Sequence, residues 1–96
     1  MNRELLRLKI LQVLKKEHAY TAHQETLIYA LKKLGFVINR DQLHVELAWL
    51  DKNADCLVNQ LCGGVHIATL TGTGLEVVEG LQEIPAIAKP RPEELS

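Results

Sequence analysis

Residues 56–70 read Cys56-Leu57-Val58-Asn59-Gln60-Leu61-Cys62-Gly63-Gly64-Val65-His66-Ile67-Ala68-Thr69-Leu70. A Gly-Gly pair between two runs of aliphatic and β-branched residues is a hairpin signal. The tightest two-residue turns need positive φ, which glycine adopts without a Cβ clash. A two-residue turn also sets the register. It places Leu57 opposite Leu70 as the inward pair, and Leu61 opposite His66 near the tip.

Working back towards the N-terminus, the period changes from two to 3.6. Asn39 followed by Gln42 is a capping-box signature, and it opens a helix from Arg40 to about Asn53. Leu43, Leu47 and Leu50 fall on its inward face. Phe36-Val37-Ile38 is an extended link, and Gly35 supplies the left-handed stop of a preceding helix that runs to about Leu34. Thr21 and Gln24 suggest the capping box of that helix, with Leu27, Ala30, Leu31 and Leu34 inward. The first helix, capped by Asn2, runs from Arg3 to about Glu17. Its apolar residues form two stripes. Leu6, Ile10, Val13 and Leu14 make one, and Leu5, Leu8 and Leu11 the other. A helix apolar on two sides must be buried on two sides. The second stripe therefore points to a partner copy, with Leu5, Leu8 and Leu11 as the interface of a homodimer.

Beyond the hairpin, Thr71 caps a short fourth helix through Leu75, Val77 and Val78, with Gly72 and Gly74 loosening its first turn. Pro85, Pro90 and Pro92 exclude regular helix further on. Residues 1–84 are thus expected to form the domain and residues 85–96 an extended tail. The order is helix, helix, helix, hairpin, helix. It predicts an α+β winged helix-turn-helix, with a two-stranded hairpin as the wing and the third helix free on its outer side to enter a major groove about 12 Å wide.

Several segments carry a family resemblance: Leu47-Ala48-Trp49-Leu50, Gly63-Gly64-Val65, Ala68-Thr69-Leu70-Thr71 through Gly74-Leu75-Glu76-Val77, Ile84-Pro85 and Lys89-Pro90. In these the chain resembles, over nearly its whole length, a family of small proteins encoded by Mu-like transposable phages and prophages. The family is described as having an ArsR-like winged-helix fold. The resemblance implies a DNA-binding regulator of phage genes.

Composition bounds the remaining possibilities. The chain has 96 residues, 47% hydrophobic and 24% charged, with a net charge of −1. That length suits one domain. No apolar run approaches the ~20 residues of a membrane span. The start, Met1-Asn2-Arg3-Glu4, lacks a secretory pattern, so a cytoplasmic protein is expected. Near-neutrality argues against a generic polyanion binder, but the charge is divided. Residues 1–40 hold eight basic and three acidic side chains, and residues 41–96 hold three basic and nine acidic. The division suits either a nucleic-acid face on one half or a fold whose halves complement each other.

Double-stranded DNA is the expected partner. Arg40 and Lys52 would hold phosphate, and Gln42 and His44 flank the outer face of the third helix formed by Asp41, Val45, Ala48 and Lys52. Asp41, Glu46 and Asp51 oppose phosphate, and no Lys or Arg occurs from Asn53 to Ile84, so the hairpin is uncharged by base. These features favour the alternative, a protein-interaction module without significant DNA binding. Lys15, Lys16, Lys32 and Lys33 read as solvated helix surface near C-terminal dipoles. Cys56 and Cys62, near His44 and His66 in sequence, match no zinc spacing, so no metal or other cofactor is expected. No catalytic signature occurs, and Ser96 is the only serine, so neither an enzyme nor a small-molecule substrate is expected.

Overall fold

The computed structural model describes residues 2–95; Met1 and Ser96 lie outside the described residues. The protein is a mixed α+β structure of four helices and a three-stranded antiparallel sheet. In chain order these are α1 (Arg3–Lys16), β1 (Thr21–His23), α2 (Gln24–Lys33), α3 (Arg40–Lys52), β2 (Leu57–Cys62), β3 (Val65–Leu70) and α4 (Gly72–Val78).

The hairpin forms in the expected register, with Leu57 opposite Leu70 and Leu61 opposite His66. Gly63 and Gly64 adopt φ of +59° and +81° in its turn. The sheet has a third strand that the capping signal concealed. Thr21 does not cap α2. It pairs with Thr69 in β1, and its hydroxyl lies 3.0 Å from the Thr69 hydroxyl. A β-branched residue opposite another on the free edge of β3 gains a cross-strand contact that an N-cap position would forgo. The start of α2 moves to Gln24. His23 becomes its cap, its Nδ1 accepting from the Glu25 N–H. At the other end α2 stops at Lys33, which leaves Leu34 as an exposed C-cap residue rather than an inward one.

The other helix ends follow local chemistry. Asn2 Oδ1 accepts from the Leu5 N–H, Asn39 and Gln42 close a reciprocal capping box, and Thr71 Oγ1 accepts from the Gly74 N–H. Gly74 is buried where a Cβ would run into the Cys56 carbonyl, so glycine is required there by close approach.

The two stripes of α1 are both satisfied within the chain. Leu8 and Leu11 are fully buried, Leu5 is partly buried, and α1 packs against α2, α4 and β3. This corrects the expectation that Leu5, Leu8 and Leu11 form a dimer interface: Leu8 and Leu11 are covered within the chain, and Leu5 is partly covered beside the C-terminal segment. That segment is not a free extended tail. Ile87 is buried, the Ala88 N–H donates to Glu4 O at 3.1 Å, and the Arg7 guanidinium donates to Ala86 O at 3.0 Å. A 3-10 turn at Pro92–Glu94 brings Glu94 within 2.7 Å of Lys9 Nζ. Residues 85–95 therefore complete the fold instead of trailing from it. Among the described residues no helix is long and apolar enough to cross a membrane.

Candidate nucleic-acid interface

Helix α3 turns four distinct sides to its surroundings. Leu43, Leu47 and Leu50 are fully buried against the body of the protein. Glu46 points the same way, with only 4% of its surface exposed, between two guanidinium groups of α1. Arg7 Nε donates to Glu46 Oε1 at 2.7 Å and Arg3 Nε to Oε2 at 2.8 Å. The Arg7 guanidinium also lies 3.9 Å over the Trp49 ring, which occupies this flank as a packing surface. On the opposite flank, Asp51 Oδ2 accepts from the Asn59 N–H at 3.0 Å, tying α3 to the edge of β2. Of the three acids of α3, Glu46 and Asp51 thus hold the helix in place, and only Asp41 faces solvent freely.

The remaining side is open. Asp41, Val45, Ala48 and Lys52 are exposed along it, covered neither by the hairpin nor by the C-terminal segment. The four residues singled out from sequence occupy different positions around this strip. Arg40 is exposed at the helix start, but its Nε donates to Glu25 Oε2 at 2.6 Å. That bond holds the Glu25 carboxyl below its ordinary range and leaves the pair close to neutral. Gln42 is exposed on the α1 flank, and its Oε1 accepts from the Asn39 N–H in the capping box. His44 faces the hairpin, where its Nε2 lies 2.9 Å from Gln24 Oε1. Lys52 is exposed and pairs with no acid among the described residues. It stands about 18 Å along the axis from Arg40, at 1.5 Å rise per residue. The structure thus brings Arg40 and His44 together beside α2 and places Gln42 and Lys52 elsewhere.

Gln24 is the functional neighbour that the sequence hid. Buried at the first position of α2, it meets α3 through His44 and β3 through the His66 backbone N–H. Its only sequence signal was a spacing from Thr21 that pointed to a cap, because partners 20 and 42 residues away leave no local trace.

The divided charge is partly self-complementary, through four of the eight basic side chains of residues 1–40. Arg3, Arg7, Lys9 and Lys15 of the basic half pair with Glu46, Glu94 and Glu79 of the acidic half. Lys32 and Lys33 remain exposed at the end of α2, with Lys33 Nζ 4.5 Å over the Tyr29 ring.

The cysteines do not meet. Cys56 is buried, and burial pushes its thiol up to about 11, well above the range of a reactive thiolate. Cys62 is exposed at the hairpin tip. Among the described residues no group of three or more His, Cys, Asp or Glu converges as a metal site would require. The chain matches no protein-family model, no curated protein and no solved structure.

Proposed function

We propose that this chain is a winged helix-turn-helix protein that binds double-stranded DNA through α3, with the β2–β3 hairpin as its wing. A role as a regulator of phage genes follows from the resemblance of its Ala-Trp-Leu and Ala-Thr-Leu-Thr segments. The observation that carries the reading is the open outer strip of α3. A helix held on three sides and bare on the fourth, beside a projecting hairpin, suits insertion into a major groove. The inward commitment of Glu46 and Asp51 supports it, because two of the charges that would repel phosphate are spent elsewhere.

The affinity expected from phosphate contacts is modest, since Lys52 and the Lys32/Lys33 pair are exposed cations of α2 and α3, while Arg40 is held by Glu25. Non-specific binding typically lies at about 10⁻⁴–10⁻⁶ M, with a slope of about −0.9 in log K against log salt for each neutralised phosphate. Fluorescence anisotropy with labelled duplex DNA across salt concentrations tests the reading. A slope of about −2 to −4, reduced by about one in Lys52→Ala, is the expected result. Absence of binding at low salt would refute it.

A second reading is favoured by a different observation. Val45 on α3, with Val58 and Leu61 on the hairpin, are large apolar side chains exposed on the elements that would face DNA. A protein partner would bury them, whereas a phosphate backbone would not. On that reading Val45→Asp abolishes capture of the partner, and DNA binding is absent throughout.

A further inference from the structure

The rings of His44 on α3 and His66 on β3 lie with their centroids 3.8 Å apart and their planes tilted by 31°. Gln24 Oε1 accepts from both elements, from His44 Nε2 at 2.9 Å and from the His66 backbone N–H at 3.0 Å. An amide oxygen only accepts, so His44 carries its proton on Nε2. His66 Nδ1 correspondingly donates to Asn59 Oδ1 at 3.1 Å. His44 thus commits its Nε2–H to Gln24 and keeps Nδ1 as the site where a second proton would bind. We infer that the His44–His66 pair is a proton-operated latch between α3 and the hairpin, closed while the His44 ring is neutral and released when a proton binds its Nδ1 against the neighbouring His66 ring.

The surroundings supply little to offset a proton gained there. From α2 the pair meets Gln24, whose Nε2 donates to Glu25 Oε2 at 3.3 Å, and that carboxylate is already committed to Arg40. From α3 come Asp41, which favours a charged His44, and Arg40, which opposes it. From β2 comes only the neutral Asn59. Among the described residues no carboxylate is hydrogen-bonded to either ring. Burial first, and the His66 ring second, hold His44 below its ordinary value. In the window between that lowered value and about 6.5, the unfolded or opened chain binds more protons than the closed one. Closure is therefore fully favourable above about pH 6.5 and weakens as the pH falls through the window. Apart from the latch, α3 holds the hairpin through the bond of Asp51 with the Asn59 N–H, and Leu57, Ala68 and Leu70 anchor its base in the core, so release loosens the exposed tip half of the hairpin against the helix.

The inference stands without the DNA reading, because its readout is the hairpin itself. Histidine side-chain NMR from about pH 8 to about pH 5, with amide exchange along β2 and β3 in parallel, brackets the ordinary histidine value of about 6.5. The expected result is a His44 midpoint below that value which moves back towards it in His66→Gln. Hairpin opening should rise about tenfold for each unit of that depression. His44→Gln keeps a donor for Gln24 and cannot be protonated in this range, so it should remove the part of the pH dependence of hairpin protection that follows the His44 midpoint. A His44 midpoint at the ordinary value, one unmoved by His66→Gln, or hairpin protection that is flat with pH in the native chain would overturn the latch. If His44→Gln fails to fold, the His66→Gln titration decides alone.

Discussion

The Glu46 carboxylate accepts from Arg7 Nε and Arg3 Nε, and the Arg7 guanidinium also covers Trp49 and donates to Ala86 O. One buried anion therefore holds α3, α1 and the C-terminal segment together. Its removal leaves the Arg7 cation, itself 6% exposed, without an anionic partner. Glu46→Ala is expected to lower unfolding stability by about 3 kcal/mol in urea denaturation, at the lower end for a broken buried pair because Arg7 keeps Ala86 O and the Trp49 ring. A loss no larger than that of an exposed pair, below about 1 kcal/mol, would mean the carboxylate is solvated in solution. Glu46 also marks a limit of reading charge from sequence. On a helical wheel it borders the Leu43/Leu47/Leu50 stripe, but its burial depends on two arginines 39 and 43 residues away. The same holds for Asp51, whose partner is a backbone amide of the next strand.

Among the elements, the ends of α3 were readable and its flanks were not. The Asn39–Gln42 box is a four-residue device, complete within the helix start, and it forms as the spacing predicts. Asn39→Ala is expected to cost about 1 kcal/mol, the usual loss for an N-cap, and to leave the hairpin amides unaffected. Thermal denaturation and amide exchange check the two halves of that statement. The Thr21–Gln24 spacing carries the same local signal and forms no cap. Thr21 instead completes the sheet beside Thr69, and Gln24 turns into the interior to meet His44 and His66. Two similar motifs diverge because only one lies next to an open strand edge, and the residue that edge presents to Thr21 comes 48 residues later in the chain. The hairpin register was legible for the opposite reason: a two-residue turn leaves no freedom in how the strands face each other.

For the whole molecule, the C-terminal segment is the largest departure from expectation. Its prolines do exclude regular helix, but Ile87 anchors it and Glu94 clamps it to Lys9. The Lys9 ammonium, and then the Arg91 backbone N–H, draw the Glu94 carboxyl down from 4.5 to about 2. A carboxyl lowered on folding stabilises the docked segment fully above about pH 4.5, and that contribution is lost as the pH falls towards about 2. A carboxyl NMR titration should find Glu94 at this depressed midpoint, and Lys9→Met should return it towards 4.5. An unmoved midpoint would contradict the clamp. Leu8 and Leu11 need no second copy, because the chain buries them where α1 packs against α2, α4 and β3. Leu11→Ala is expected to cost about 2–5 kcal/mol as a core cavity, with the mass by light scattering unchanged. A change of mass without loss of stability would restore these residues to an interface.

What the sequence alone determined is local: the capped starts of α1, α3 and α4, the inward leucines of α3, and how the hairpin pairs. These depend on residues within one or two turns, or across a turn too short to vary. What only the tertiary structure decided is which surfaces remain open. The second stripe of α1, the acids of α3 and the divided charge were ambiguous because each is resolved by a partner far along the chain. The outer strip of α3, bounded by Asp41 and Lys52, is open because the protein's own segments cover other faces instead.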